Sequence, residues 1–438
     1  MKKPNIILFI THDQGQFLGC YSSPQTPNSL ETPNLDKIAK NGIRFTNYFC
    51  TAPQCSPSRG SIQTSLYPHQ NGLMGLVDRG WSLPKEFKTM PMYLKELGYS
   101  THLIGLNHES RYPSNLGFDT MTERFFSKRG RENNFLYNCN LVEKESKKFL
   151  EDHKNNEKPF YVSIGVEEVH RPFKIWADPV DPNSLNVPPF LPDNEIVRKE
   201  LSEFYGAINR VDLTIERIIS MLEDTGLNEN TLFIYTTDHG SPFPRAKCTL
   251  YDPGIETILL MHEPNSNMFS NGKVMNNLLS NVDLLPTLID YIGGEIPKNI
   301  EGKSFLPLLK QEQTEVRSEI YVEKTYHEIY DPIRGIRTNN YKYIRNFEKL
   351  DTLYQMAAPM LMAPSGKYMK NFYNSPRSTE ELYDLRKDPL EKTNVINTTE
   401  YQEIVTELRI RLSNWLKATN DPILQGRIPR QETTNFNY

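Results

Sequence analysis

The order of apolar and polar residues predicts an α/β protein. A large, mostly parallel sheet is sandwiched by helices, and a smaller C-terminal α+β domain containing an antiparallel sheet follows it. Three observations predict this. Continuous apolar runs of strand length, at Asn5 to Thr11, Phe160 to Gly165 and Thr231 to Thr237, suit strands buried on both faces. Amphipathic helical patterns lie between such runs, and that alternation is the mark of a parallel sheet. After about Glu315 the alternation gives way to short strands and turns. The expected division is residues 1–315 and 316–438.

Each element has a local reason. Thr32-Pro33 reads as an N-cap followed by an N1 proline, and Leu35, Ile38 and Ala39 form one face of a helix ended by Gly42. Ile43 to Phe49 reads as a strand, Met92 to Leu97 as a short helix ended by Gly98, and Ser100 to Gly105 as the next strand. Tyr205, Ile208, Val211, Ile215, Ile218 and Leu222 mark a long amphipathic helix. Asp283 reads as the cap of a helix carrying Leu284, Leu288 and Ile292. Further on, Glu319 to Glu323 and Gly335 to Ile344 read as short strands, with Asn339-Asn340 as a turn. The Met-, Pro- and Ser-rich stretch Asp351 to Thr379 reads as a long irregular loop. Tyr401 to Trp415 reads as a terminal helix with Ile404, Leu408 and Leu412 on one face.

Bulk properties narrow the function. The 438 residues carry a net charge of -4, which argues against a nucleic-acid partner. No stretch approaches the roughly 20 apolar residues of a membrane helix. The run Ile6 to Ile10 is too short for the core of a signal peptide, so the expected location is cytoplasmic, or exported if a leader has been removed. The five cysteines, Cys20, Cys50, Cys55, Cys139 and Cys248, follow neither a disulfide framework nor a structural zinc spacing.

Ligands of such sheets bind beyond the carboxyl ends of the strands, and polar clusters stand at those ends here. His12-Asp13 follows the first strand and Asp238-His239 the strand at 231–237. Carboxylates on two strand ends that meet at one sheet edge form a cation site. His108 follows the strand at 100–105 and His170 the strand at 160–165, and an ordinary histidine pKa suits both for proton transfer. Between the first two of these strands in the chain lies Cys55-Ser56-Pro57-Ser58-Arg59. Pro57 fits a helix start, where backbone N–H groups face an anion, and Arg59 is a donor for nucleophile oxygens.

That pentapeptide resembles the C-x-P-S-R signature of the formylglycine-dependent sulfatases, a family of the alkaline phosphatase superfamily. The resemblance implies that a maturase oxidises Cys55 to formylglycine. One hydroxyl of the hydrated aldehyde attacks sulfur, and loss of the proton from the other expels sulfate. It implies a divalent metal held by Asp13, Asp238, His239, His12 and the group at Cys55. Calcium is the family expectation, with manganese, zinc or magnesium as alternatives. It further implies His170 as the acid for the leaving group, His108 as the base for the second hydroxyl, and Lys247 as a sulfate-holding cation.

The likeness extends to the sulfamidase branch of that family, through Tyr67 to Gly72 (YPHQNG), Pro188 to Pro192 (PPFLP), Gly240 to Pro244 (GSPFP), Leu250 to Gly254 (LYDPG), Glu381 to Asp384 (ELYD) and Asn420-Asp421-Pro422. It implies an N- or O-sulfated aminosugar substrate and is compatible with a homodimer. Two positions depart from the pattern. His12 stands for an aspartate, and an imidazole there shifts preference toward manganese, zinc or iron unless His12 stays off the metal. Leu106 stands for a lysine that contacts nucleophile and sulfate; Arg111, Arg171, Lys247 and Arg245 are candidate replacements. His327, Glu328, Arg334 and Arg337 are candidates for substrate selection or for plain solvated surface. The alternatives are a phosphodiesterase or phosphonate monoester hydrolase of the same superfamily, and a catalytically impaired sulfatase-like binding protein.

Overall fold

The strand Asn5–Thr11 (β1) is buried along its whole length, and its side chains divide by parity. Ile6, Leu8 and Ile10 enter one apolar cluster, while Ile7 and Phe9 enter another. Period-two alternation with both faces apolar requires helices on both sides, as expected of a central parallel strand. In the computed structural model, which describes residues 3–23, 29–122 and 137–431, β1 is such a strand.

The other strands of the large sheet are Ile43–Phe45 (β2), Ser100–Gly105 (β3), Thr120–Met121 (β4), Phe160–Gly165 (β5), Thr231–Thr237 (β6), Leu259–His262 (β7) and Lys273–Met275 (β8). The eight strands run in the order β4-β3-β5-β1-β6-β7-β2-β8. β1 pairs in parallel with β5 and with β6, so the carboxyl ends of three central strands share one edge. β7 is antiparallel to both its neighbours. The expected strand over 43–49 is two pieces: β2 stays in this sheet, whereas Tyr48–Phe49 pairs with Leu279–Ser280 in a separate two-stranded sheet. The chain leaves the large sheet at Thr46-Asn47, where the Thr46 N–H bonds to the Met275 carbonyl at 2.8 Å.

The helix Cys55–Thr64 (α1) is buried at all ten residues. It packs with the first apolar cluster through Ile62, beside Leu284, Leu285 and Leu288 of the helix Leu284–Tyr291 (α3). On the opposite face lies the helix Glu195–Asp224 (α2), which buries Leu201, Phe204, Ile208, Val211 and Ile215 against Phe9 and Tyr235. Asp283 does not cap α3 through its side chain. Its carboxylate instead takes Arg317 and the backbone N–H groups of Ser280 and Lys303.

A second sheet, antiparallel, consists of Glu319–Tyr326 (β9), Tyr330–Thr338 (β10), Tyr341–Asn346 (β11) and Glu380–Asp384 (β12), in that order. The helix Gln402–Ala418 (α4) lies on it through Leu408, Leu412 and Trp415. Trp415 stacks on Tyr321 with centroids 4.6 Å apart and meets Tyr67 edge-on at 4.9 Å. The stretch 351–379 is not wholly irregular: it contains the short helices Ala358–Met362 and Pro364–Met369.

Candidate active site

Every residue of the expected constellation lies at the carboxyl edge of the large sheet. β1 ends at Thr11, and the chain turns sharply at Asp13, whose φ of 55 is in the left-handed region. Aspartate tolerates that region better than most residues, and strained backbone of this kind clusters at functional sites. The Asp13 N–H donates to Asp238 Oδ1 at 2.9 Å, which ties the ends of β1 and β6 together. Glycine is required at 240 for the same closeness, since a Cβ there would lie 2.1 Å from the Pro253 carbonyl oxygen.

α1 starts at Cys55 beneath these loops. Pro57 occupies its third position, where a missing N–H costs nothing. Arg59 is 1% exposed. It donates from Nε to Asp238 Oδ2 at 2.9 Å and from a terminal nitrogen to the Thr11 carbonyl at 3.2 Å. Its bonds therefore fix the strand ends and a carboxylate of the cluster, in place of the direct bond to the nucleophile that the sequence suggested.

One ligand atom each from His12, Asp13, Cys55, Asp238 and His239 lie within 4.8 Å of one another, and all five residues are buried. His12 Nδ1 is 2.7 Å from Asp13 Oδ1 and 3.5 Å from Asp238 Oδ2. His239 Nε2 is 2.8 Å from Asp13 Oδ1 and 3.5 Å from the Cys55 sulfur. The tautomer of His239 follows from its other nitrogen. Nδ1 lies 2.9 Å from the Gly240 carbonyl, which only accepts, so Nδ1 carries the proton. In the neutral ring the Nε2 lone pair then faces a carboxylate oxygen. Two lone pairs at that separation call for a positive charge between them, and the donor set fits a divalent cation.

The electrostatics point the same way. Burial pushes the Asp13 carboxyl up, but Lys247, His239, His12 and His170 outweigh it and hold it well below the usual carboxylate range. Burial likewise opposes ionisation of Asp238, and His12, His239 and Arg59 bring it well down. Lys247 Nζ donates to Asp13 Oδ2 at 2.5 Å and sits 3.7 Å from the Cys55 sulfur. Burial disfavours its charge, yet Asp13 and then Cys55 hold it above the ordinary lysine value.

His170 Nδ1 lies 2.7 Å from the Arg171 carbonyl, so it too is the donor nitrogen. Its Nε2 is 3.9 Å from Asp13 Oδ2. Burial first, then Lys247 and His12, hold its pKa down to about 3 against the pull of Asp13. The ring of His12 is 4.7 Å from that of His170 and 5.6 Å from that of His108. His108 stands at the rim with Nε2 3.7 Å from Asp78 Oδ1.

These groups open on a pocket of about 100 Å³. Asp13, Cys55, His108, His170 and Lys247 line it, together with Asp78, Arg79, Arg171 and His327. Of the four cations considered as substitutes for a lysine at Leu106, Arg171 and Lys247 line the pocket. Arg245 instead reaches the carbonyls of Leu390 and Glu391, and Arg111 Nε reaches that of Val77 at 3.3 Å. Among the specificity candidates, His327 lines the pocket. Glu328 supports its rim through Arg79 at 2.6 Å and the Ala358 N–H at 2.9 Å. Arg334 and Arg337 do neither: Arg334 pairs with Asp421 and Arg337 with Asp252, in buried contacts of 2.5 and 2.8 Å. Sequence reasoning passed over Asp78, Arg79, Ala357, Pro359 and Met360, which carry no motif.

The Sulfatase family profile matches residues 4–294, and the profile "N-sulphoglucosamine sulphohydrolase, C-terminal" matches residues 245–359. An ulvan-active sulfatase of Formosa agariphila is 30% identical over 98% of this chain and 82% of its own length. The human N-sulphoglucosamine sulphohydrolase is 27% identical over 95% of this chain and 91% of its own. A solved structure in complex with its substrate D-glucosamine-2-N,6-O-disulfate shares the fold, with a TM-score of 0.72 at 21% identity over 96% of this chain and 99% of that one. The chain belongs to the sulfatase family. It is a hydrolase of sulfate esters or sulfamates, and the family carries a metal ion and formylglycine at such a site. Among the described residues, no helix is long and apolar enough to cross a membrane.

Proposed function

We propose that this sulfatase removes sulfate from a small saccharide, an N- or O-sulfated aminosugar, at the pocket beside Cys55. The observation that carries the reading is the convergence of Cys55, two carboxylates and two imidazoles within 4.8 Å at the sheet edge. The names of the human and Formosa relatives support a saccharide substrate.

Formylglycine at position 55, made by a maturase, would supply a hydroxyl nucleophile. A divalent cation held by His12, Asp13, Asp238 and His239 would stabilise negative charge at that oxygen and on the sulfuryl group. Two imidazoles among its ligands favour manganese or zinc over calcium. The chain's own groups do the rest. Lys247 neutralises Asp13 and stands beside the nucleophile position. Arg59 fixes Asp238. His170 keeps its Nδ1 proton on the Arg171 carbonyl, which aims Nε2 into the site. An anion in the pocket raises the affinity of that nitrogen for a proton, and the imidazolium can then protonate a departing oxygen or nitrogen. His108, oriented by Asp78, is placed to take the proton of the second hydroxyl.

We also read residues 1–315 and 316–438 as two domains, supported by the separate second sheet. One apolar cluster nonetheless spans both, from Ile6 on β1 to Trp415 on α4, so they are expected to unfold together. The test of the main reading is the mass of the tryptic peptide Phe45 to Arg59, from protein made with a maturase, alongside turnover of an aryl sulfate and of sulfated glucosamines. An aldehyde-bearing peptide with turnover is expected. A converted peptide without turnover of any sulfate would refute the reading.

A further inference from the structure

The pocket beside Cys55 is rich in cationic side chains, and most of their donors are already engaged. Lys247 is bonded to Asp13 at 2.5 Å, and Arg79 to Glu328 at 2.6 Å. Arg171 gives Nε to the Pro242 carbonyl at 2.8 Å and Nη1 to Glu200. Two residues keep donors in reserve. Arg171 Nη2 is buried with no hydrogen-bond partner among the described residues. Neither ring nitrogen of His327 reaches full hydrogen-bond geometry with a described residue, although the imidazole lies against the Cys248 thiol. The Glu328 carboxylate approaches His327 Nδ1 only to 3.5 Å. Arg171 is 9% exposed and His327 5%. Leaving buried donors unpaired is unfavourable, and such groups in a folded protein call for a ligand or a stored function.

Both residues line the same small pocket as Cys55. They reach it from different parts of the fold. Arg171 follows β5 in the large sheet, and His327 sits in the hairpin between β9 and β10, its N–H bonded to the Ile329 carbonyl at 3.2 Å. We propose that Arg171 and His327 together hold the tetrahedral anion, first as the sulfuryl group of the substrate and then as released sulfate. The second sheet thereby completes the active site. This rests on the sulfatase reading and adds to it the groups that bind the anion. An arginine and an imidazole supply short charge-assisted bonds suited to sulfuryl oxygens. Burial works against a charged His327, but Cys248 and Glu328 hold its imidazole above the ordinary histidine value, toward the cationic form. The neighbouring wall of Ala357 and Met360 brings no charged group to compete for the anion.

The test compares the wild-type protein, His327→Gln and Arg171→Lys, all metal-loaded and converted at position 55. KM is measured for 4-nitrophenyl sulfate and for a sulfated glucosamine, with inorganic sulfate as inhibitor. The shift of the unfolding midpoint by inorganic sulfate is read on the same proteins and needs no turnover. The expected result for His327→Gln is about tenfold weaker inhibition by sulfate and an about tenfold higher KM for both substrates, the effect of one charge-assisted bond. Arg171→Lys should move all three in the same direction. Sulfate inhibition and sulfate-induced stabilisation within twofold of wild type in both variants would overturn the proposal. So would a rise in KM confined to the sugar sulfate, which would assign these residues to the saccharide. Loss of turnover in the wild type would instead strike at the sulfatase reading, and the unfolding shift would still decide the role of the two donors.

Discussion

Replacing Lys247 by glutamine should change metal affinity and turnover in opposite directions. The ammonium lies 2.5 Å from Asp13 Oδ2. His12 and His239 face the other oxygen of that carboxylate, Oδ1, and a cation held there would lie within roughly 7 Å of Nζ. At an effective dielectric constant of about 20, a unit charge and a dication at that distance repel by about 5 kcal/mol. Side-chain movement and solvent absorb most of this, and less than a third of it, about 1.4 kcal/mol, already corresponds to tenfold in affinity. Lys247→Gln is therefore expected to bind its divalent metal at least about tenfold more tightly. The same variant loses a buried cation beside the reacting group, a loss worth about 10²-fold or more in kcat for single donors elsewhere. The assay is metal titration followed by calorimetry, set beside kcat for an aryl sulfate. Weaker metal binding together with lost turnover would refute the argument, since it would mean that Lys247 supports the shape of the site and not its charge.

Three other outcomes are expected. Cys55→Ala should keep the fold, because a small side chain replaces another at the head of a buried helix, and should lower aryl sulfate turnover by at least about 10³-fold; turnover within tenfold of wild type would remove Cys55 from the mechanism. Burial, with Asp252 beside it, pushes the Glu256 carboxyl up to about 8. A folded-state pKa above the unfolded value gives stability that is present below about pH 4.5 and lost as pH rises through about 8. Glu256→Gln should accordingly flatten the fall in unfolding free energy between about pH 5 and 8, by up to about 1 kcal/mol per pH unit, and parallel curves for the two proteins would contradict it. Trp415→Ala should cost about 3–5 kcal/mol in denaturant unfolding, because the indole is wedged between Tyr321 and Tyr67; a loss below about 1 kcal/mol would mean that this stack does not tie the second sheet to the segment that follows α1.

The parts of the fold that repeat a local rule were legible in the sequence. β1, β5 and β6 are apolar at every position that the two covering helix layers need, and their ends announce Asp13, His170 and Asp238. The unread parts depend on pairing across the chain. Leu259–His262 is as apolar as its neighbours, and nothing local says that it runs antiparallel between β6 and β2. Tyr48-Phe49 continues the pattern of β2, yet the partner that captures it lies at 279–280. The same limit applies to the site. Arg334 and His327 are both polar residues of one hairpin, and the register of β9 against β10 sends one into a buried ion pair with Asp421 and the other into the pocket. The capture of Arg245 by two backbone carbonyls is equally invisible without the segment at 390–391.

The burial of α1 sets an order of events in the life of the chain. Cys55 is 2% exposed, and burial pushes its thiol well above the ordinary range despite Lys247 beside it. A thiol that is both walled in and protonated offers a modifying enzyme neither access nor a thiolate. On the proposed mechanism, conversion would have to precede closure of the helix and pairing of the strands on either side of it. Folding and maturation would then compete, and a molecule that folded first would keep its sulfur for as long as it stayed folded.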